Sequence, residues 1–374
     1  MAAAGFAVAM GLGRFAFTPI LPLMTGQAGL SAAAGAHLAT ANYLGYLAGP
    51  VLTLIMPRLV SSRILYRCSL ALIVVSLLGM SLTTNDLIWL GLRFLAGAAS
   101  ALLFVMIASS AAYHCRSAPR HVTGWVYGGI GAGIALSGIL ILALGPGGSW
   151  QHAWWAVALA SLALAVPAWL LPLHPAIKTS PTTRPGKQTG VRLRERIVPG
   201  FTPLVVSYFL EGVGYIIAGT FLVTAVAASS PGWVGNGTWI LVGLAAVPSS
   251  ALYGSLSHRI PAPTLLASAL ALQAVGMALP AVLPGALPAL VAGACFGATF
   301  QGITTLSMTI GATSGVPHAV SILTIMFSIG QVAGPLLAAP LLTNGYSAAL
   351  LLGAVIVTCA AVTAALIRAR KTSA

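Results

Sequence analysis

Apolar runs of about 20 residues, the length a helix needs to cross a hydrocarbon core, recur twelve times along the chain. They cover roughly residues 2–23, 35–56, 66–83, 87–111, 122–144, 152–172, 200–227, 236–255, 264–283, 286–310, 319–341 and 347–367. Short turns such as Gly145-Pro146-Gly147-Gly148 and Asn344-Gly345 separate them. Pro19, Pro22 and the glycines near 128–133 sit inside spans; membrane helices tolerate such residues because neighbouring helices satisfy the freed backbone groups. The one long polar stretch, residues 173–199, is rich in Pro, Thr, Lys and Arg and reads as a linker. The pattern predicts an all-α membrane protein. An N-terminal six-helix bundle occupies 1–172, a basic cytoplasmic linker 173–199, and a C-terminal six-helix bundle with a short cytoplasmic tail 200–374.

Charge fixes an orientation for these spans. Only 5% of the 374 residues are charged, against about 25% in a soluble domain. The 17 Lys and Arg outnumber 3 Asp and Glu, a balance that in a soluble protein would suggest nucleic acid. Here 15 of the 17 fall on alternate loops, with six in the linker and others at Arg58, Arg63, Arg67, Arg116, Arg120 and Arg259. Lys and Arg concentrate on the cytoplasmic side, so both termini are expected there and no nucleic-acid partner is. Cys68, Cys115, Cys295 and Cys359 are scattered, and the seven histidines lie at span ends without ligand spacing; neither a disulfide nor a metal is expected. No removed signal peptide is expected at the N-terminus. Three acids are too few for acid–base chemistry at the membrane surface, which argues against an enzyme. No cofactor is implied.

The two halves repeat. At an offset of 201, Gly11-Leu12-Gly13 meets Gly212-Val213-Gly214, Arg58 meets Arg259, and Gly129 and Gly133 meet Gly330 and Gly334. Parallel repeats of this kind place a solute site near the bilayer midplane, between the halves.

Three charges remain in apolar surroundings: Arg14, Arg93 and Glu211. Such a residue costs about 2.5–3.5 kcal/mol on insertion scales and marks a functional site. Arg14 lies about 18 Å into the first span, and Glu211 is about as deep in the seventh. Arg14 is expected to anchor an anionic group, with Thr18 on the same face one turn on. Glu211 is expected to couple protons, pairing with Arg14 when the site is empty, and the hydroxyls of Tyr208 and Tyr215 are read as sharing its face. Arg93 and Gly97 are assigned to gating or helix packing. Polar stripes add Asn42 and Tyr46 in the second span, Tyr127 in the fifth, Gln301 with Thr304, Thr305 and Met308 in the tenth, and Thr324, Phe327, Ser328 and Gln331 in the eleventh. Interhelical packing through small and hydrogen-bonding residues is the alternative for each of these. The sixth span is almost wholly apolar and is expected at the periphery.

Several segments jointly resemble the YbfB/YjiJ-like branch of the major facilitator superfamily. They are Gly11-Leu12-Gly13-Arg14-Phe15-Ala16-Phe17-Thr18-Pro19, Ala41-Asn42-Tyr43-Leu44-Gly45-Tyr46, Leu92-Arg93-Phe94-Leu95-Ala96-Gly97, Tyr208-Phe209-Leu210-Glu211-Gly212, Gly297-Ala298-Thr299-Phe300-Gln301 and Gly330-Gln331-Val332-Ala333-Gly334-Pro335. The resemblance covers essentially the whole chain. It implies twelve helices in two pseudo-symmetric bundles and a proton-linked transporter in the bacterial inner membrane. The superfamily's cytoplasmic loop motif survives as Gly254-Ser255-Leu256-Ser257-His258-Arg259, with His258 in place of an aspartate; in the first half Pro57 takes that place. His258 and Arg259 are therefore gating candidates. The expected cargo is a small organic anion carried with protons by a monomer. Proton-driven efflux of amphipathic drugs is the alternative, followed by a ligand sensor or a membrane enzyme.

Overall fold

The computed structural model describes residues 1–115, 120–145, 147–173, 200–230 and 232–367. The expected linker from 174 onward, the tail from 368 and Arg116 lie outside the described residues. The apolar runs become the helices α1 (Ala2–Gln27), α2 (Ala32–Ile55), α3 (Arg63–Ser81), α4 (Asp86–His114), α5 (Arg120–Ala143) and α6 (Trp150–Trp169). After the linker follow α7 (Phe201–Ser229), α8 (Gly232–Leu256), α9 (Ala262–Val282), α10 (Ala286–Thr313), α11 (Ala319–Ala338) and α12 (Tyr346–Ala365). Among the described residues, eleven helices are long and apolar enough to cross a membrane. The 24-residue α2 is not one of them; it carries His37, Thr40, Asn42, Tyr43 and Tyr46 within its length. Side-chain caps start several helices: Ser31, Ser62, Asn85 and Ser149 each accept from the first turn's backbone N–H groups.

The repeat is expressed as equivalent close helix crossings. Helix α1 packs on α5 as α7 packs on α11, α2 on α4 as α8 on α10, and α3 on α6 as α9 on α12. The repeated glycines sit at these crossings. A side chain at Gly129 or Gly133 would strike the backbone of Ala3 or Ala7 in α1, and one at Gly330 or Gly334 the backbone of Phe209 or Val213 in α7. Gly97 likewise rests on the Asn42 carbonyl and Gly297 on that of Val242. Close backbone approach through glycine is how membrane helices gain packing contact when lipid supplies no hydrophobic drive. The halves meet along α5 with α8, α2 with α11, and α1 with α7.

Helix α1 is not continuous. Ala7–Leu12 winds as a π-helix and residues 13–16 are turn before the helix resumes at Phe17. The Gly13 and Phe15 amides donate five residues back, to Val8 (2.8 Å) and Met10 (3.0 Å). Such interruptions appear mostly at functional sites, and this one holds Arg14.

Candidate functional site: a cavity between the halves

A cavity of about 960 Å³ lies between the halves. Its walls come from α1, α2, α4, α5, α7, α8, α10 and α11, and none of its lining residues belongs to α3, α6, α9 or α12. The outward face of α6 carries Trp155, Leu159, Leu162 and Val166 in exposed positions, as the sequence led us to expect. The cavity runs from Arg14 and Phe15 at its deep end to Val60, Ser257, His258 and His318 at the ends of the helices that bear Arg58 and Arg259. Beyond Arg14 it is closed. The Phe15 ring packs on Phe300 and Trp239, at 6.2 and 6.5 Å. Thr18 donates to the Gly219 carbonyl, a contact between repeat-equivalent positions that marks the axis relating the halves. Tyr43 and Thr220 share a hydrogen bond of 2.8 Å, and Trp239 Nε1 donates to Ser137 at 3.2 Å.

Arg14 is 2% exposed. Its Nη2 donates to Gln331 Oε1 at 2.6 Å, and Gln331 Nε2 donates to the Tyr215 hydroxyl at 2.8 Å. Its guanidinium lies over the rings of Tyr46, Tyr43 and Phe15, 4.1, 5.0 and 5.2 Å from their centroids, a cation–π cage. Its Nε is buried without a partner. The turn that carries it is tethered from α4: Arg93 Nη2 donates to the Arg14 carbonyl at 3.3 Å, and the Arg93 guanidinium stacks over Phe17 at 4.7 Å. Asn42 Nδ2 holds the Arg93 carbonyl at 2.8 Å.

Two aromatic walls face each other across the cavity. On one side stand Tyr46, Phe104 and Tyr127, with centroid spacings of 6.5 and 6.2 Å. On the other, Tyr208 stacks on Phe327 at 4.4 Å, Phe327 on Tyr215 at 5.3 Å, and Tyr215 on Phe300 at 6.2 Å. Gln301 lines the same side, and its Nε2 is buried without a partner.

Glu211 stands behind this wall. Its Oε1 accepts from Gln273 Nε2 of α9 at 2.8 Å, and Gln273 Oε1 accepts from Thr299 of α10 at 3.0 Å. Its Oε2 is buried and unpartnered.

Over residues 6–366 the chain matches the family described as uncharacterised MFS-type transporter YbfB. The chain belongs to this family. It is therefore a multi-pass membrane transporter of the major facilitator superfamily, not an enzyme, and a small molecule is its substrate. No protein of curated function matches it. Among solved structures, this YbfB-type transporter is similar in fold to an aspartate-to-alanine mutant of nucleoside transporter NupG. The TM-score is 0.75 at 14% identity, over 98% of this chain and 100% of that one. A second structure of nucleoside transporter NupG matches with a TM-score of 0.72 at 13% identity, over 99% of each chain.

The geometry sorts the residues singled out from the sequence. Arg14, Tyr46, Tyr127, Tyr208, Tyr215, Gln301 and Gln331 line the cavity, with His258 at its mouth. Thr18 and Asn42, expected to bind solute, do not line it. Thr18 ties α1 to α7, and Asn42 lies between α2 and α4, where Gly97 packs against its carbonyl. Arg259 is exposed at the end of α8. The expected Arg14–Glu211 pair is not formed. Tyr208 and Tyr215 are turned roughly 40–60° around α7 from Glu211, at 3.6 residues per turn, which puts them on the cavity side and Glu211 on the α9 side. The sequence reading missed Gln273 and Thr299. An isolated amide in the otherwise apolar ninth span was the available signal. It also missed Phe15, Phe104 and Phe300 as walls, because one phenylalanine among many apolar residues carries no mark of facing a cavity.

Proposed function

We propose that the protein is a proton-coupled secondary active transporter. It moves a small anionic organic solute across the bacterial inner membrane by alternating access, as a monomer of twelve spans in two six-helix bundles with both termini cytoplasmic. The observation that carries this reading is Arg14, a fixed cation at the deep end of a cavity between the halves, with no acid paired to it among the described residues. The equivalent crossings in the two halves support the division into bundles. The basic helix ends at the mouth support a cytoplasmic opening, since Lys and Arg collect on that side. Glu211, buried and off the solute path, suits a proton site that can be occupied together with a bound anion.

The test is transport in proteoliposomes under an imposed pH gradient. Glu211→Gln keeps an oxygen for the Gln273 bond and removes the ionisable group. Gradient-driven accumulation of labelled anion is expected to vanish, while solute exchange at equal pH persists. A Glu211→Gln variant that accumulates solute with the wild-type pH profile removes Glu211 from coupling. The aromatic walls favour drug efflux as the second reading. Faster export of neutral amphipathic compounds than of any anion would establish it, and nucleosides belong among the compounds tried because of the fold likeness to NupG.

A further inference from the structure

The charges among the described residues leave the cavity one-sided. Among the described residues, Arg14 is the only Lys or Arg that lines the cavity, and no Asp or Glu does. Of the chain's three acids, the two among the described residues lie elsewhere. Asp86 sits in the first turn of α4, exposed at the far end of the molecule from the mouth. Glu195 lies in the linker, outside the described residues. Glu211 is held by Gln273 behind the wall. A buried charge without a counter-charge is costly, and rings and one amide oxygen compensate Arg14 only in part. The remaining compensation has to come from whatever occupies the cavity. One cation calls for one negative charge, and a second charge on the solute would be desolvated without a partner.

Shape and polarity narrow the class further. Rings stand on both sides of the cavity, Tyr46, Phe104 and Tyr127 facing the Tyr208–Phe327–Tyr215–Phe300 stack. Flat aromatic surface prefers a flat aromatic partner in offset or edge contact. Among the buried polar atoms of the described lining, Gln301 Nε2 joins Arg14 Nε in having no partner; the Gln301 residue is 6% exposed. An unsatisfied buried donor beside a solute site discriminates strongly for a solute that supplies the acceptor.

We propose that the solute is a planar aromatic monoanion. Its acid group meets Arg14, its ring lies between the aromatic walls, and a hydrogen-bond acceptor elsewhere on it meets Gln301. This rests on the reading of the protein as an anion transporter and adds ring, single charge and acceptor to it.

Purified full-length protein in nanodiscs, titrated with benzoate, 4-hydroxybenzoate, cyclohexanecarboxylate, benzamide and phthalate, tests each part by calorimetry and thermal shift. Benzoate and 4-hydroxybenzoate are expected to bind and to raise the melting temperature, the hydroxy acid more tightly. The non-planar acid, the neutral amide and the dianion should each bind at least about tenfold more weakly. Arg14→Gln should weaken both aromatic acids by about tenfold or more. Gln301→Leu should abolish the preference for the hydroxy acid over benzoate. Equal binding of benzoate and cyclohexanecarboxylate, both lost in Arg14→Gln, overturns the aromatic assignment and leaves the anion reading standing. Benzamide binding as tightly as benzoate, unaffected by Arg14→Gln, overturns both. A cooperatively melting protein that no aromatic acid stabilises at millimolar concentration also overturns the proposal.

Discussion

Arg14 donates from Nη2 to Gln331 and keeps its Nε free of any partner. Position 331 is thus where a side chain could neutralise Arg14 from within the protein. Gln331→Glu would supply inside the protein the counter-charge that the proposed solute brings. A guanidinium and a carboxylate about 4 Å apart attract by about 4 kcal/mol at an effective dielectric of 20, most of it offset by desolvation of the new acid. Affinity for an anionic solute is expected to fall by about tenfold or more, while the empty protein melts no earlier than wild type. Titration calorimetry with paired melting curves reads both, and an unchanged affinity would remove Arg14 from solute binding. Gln331→Leu behaves differently. It strands Arg14 Nη2 and the Tyr215 hydroxyl together, and losing both partners costs about 1–3 kcal/mol of stability. The sequence revealed Arg14 and Glu211 because a charge in an apolar run stands out whatever surrounds it. It did not reveal their partners. Gln331 lies 317 positions from Arg14, and Gln273 lies 62 from Glu211, so those bonds follow from helix rotation and packing, which local pattern does not encode.

At the scale of the helix, the interruption of α1 determines where Arg14 sits. An unbroken helix would bond the Arg14 carbonyl within its own next turn; the turn at residues 13–16 leaves it to Arg93. Arg93 therefore reaches the cavity's deep end through the Arg14 backbone, and its own carbonyl is fixed by Asn42; a positioning role follows as a prediction. Arg93→Leu is expected to lower stability by about 1–3 kcal/mol, the cost of an unmet buried acceptor, and to weaken anion binding although the cavity's charge is unchanged. Arg93→Lys, which can still donate to that carbonyl, should recover part of both. If Arg93→Leu lowers only the melting temperature and leaves anion affinity intact, its role is packing alone. The spans themselves were legible because apolar length is a local property. The break was not, since Gly11-Leu12-Gly13 and the following Phe15-Ala16-Phe17 are as apolar as any helix core and hydropathy averages over the π-turn. The second span was the reverse case. Its polar stripe predicts a cavity face at Asn42 and Tyr46, yet the neighbouring Gly45 and Gly49 rest on Phe94 and Ala101 of α4, and of the stripe only Tyr46 reaches the cavity.

For the whole molecule, the seam between the halves bears on whether the two ends can open in turn. Along α5, the glycines at 124, 128, 131 and 138 each lie against α8, at Ala251, Val247, Gly243 and Ile240. A seam of near-flat backbone lets one half rock on the other with few interlocking side chains to disengage. In this structure the end beyond Arg14 is held by Thr18 on Gly219 and Tyr43 on Thr220, while the end at Thr309 and His258 is open to the cavity. Rocking would exchange these conditions. In a variant lacking Cys68, Cys115, Cys295 and Cys359, a cysteine placed at Thr309 should react with a membrane-impermeant maleimide in inside-out vesicles and be protected in right-side-out ones. A cysteine at Thr220, fully buried here, should resist the reagent from both sides at rest. During solute exchange its labelling from the outer side should rise as that at Thr309 falls, because one seam cannot admit water at both ends. Labelling that rises at both positions together would mean that solute opens a continuous pore. Labelling of Thr309 from the outer side would reverse the orientation drawn from the basic helix ends.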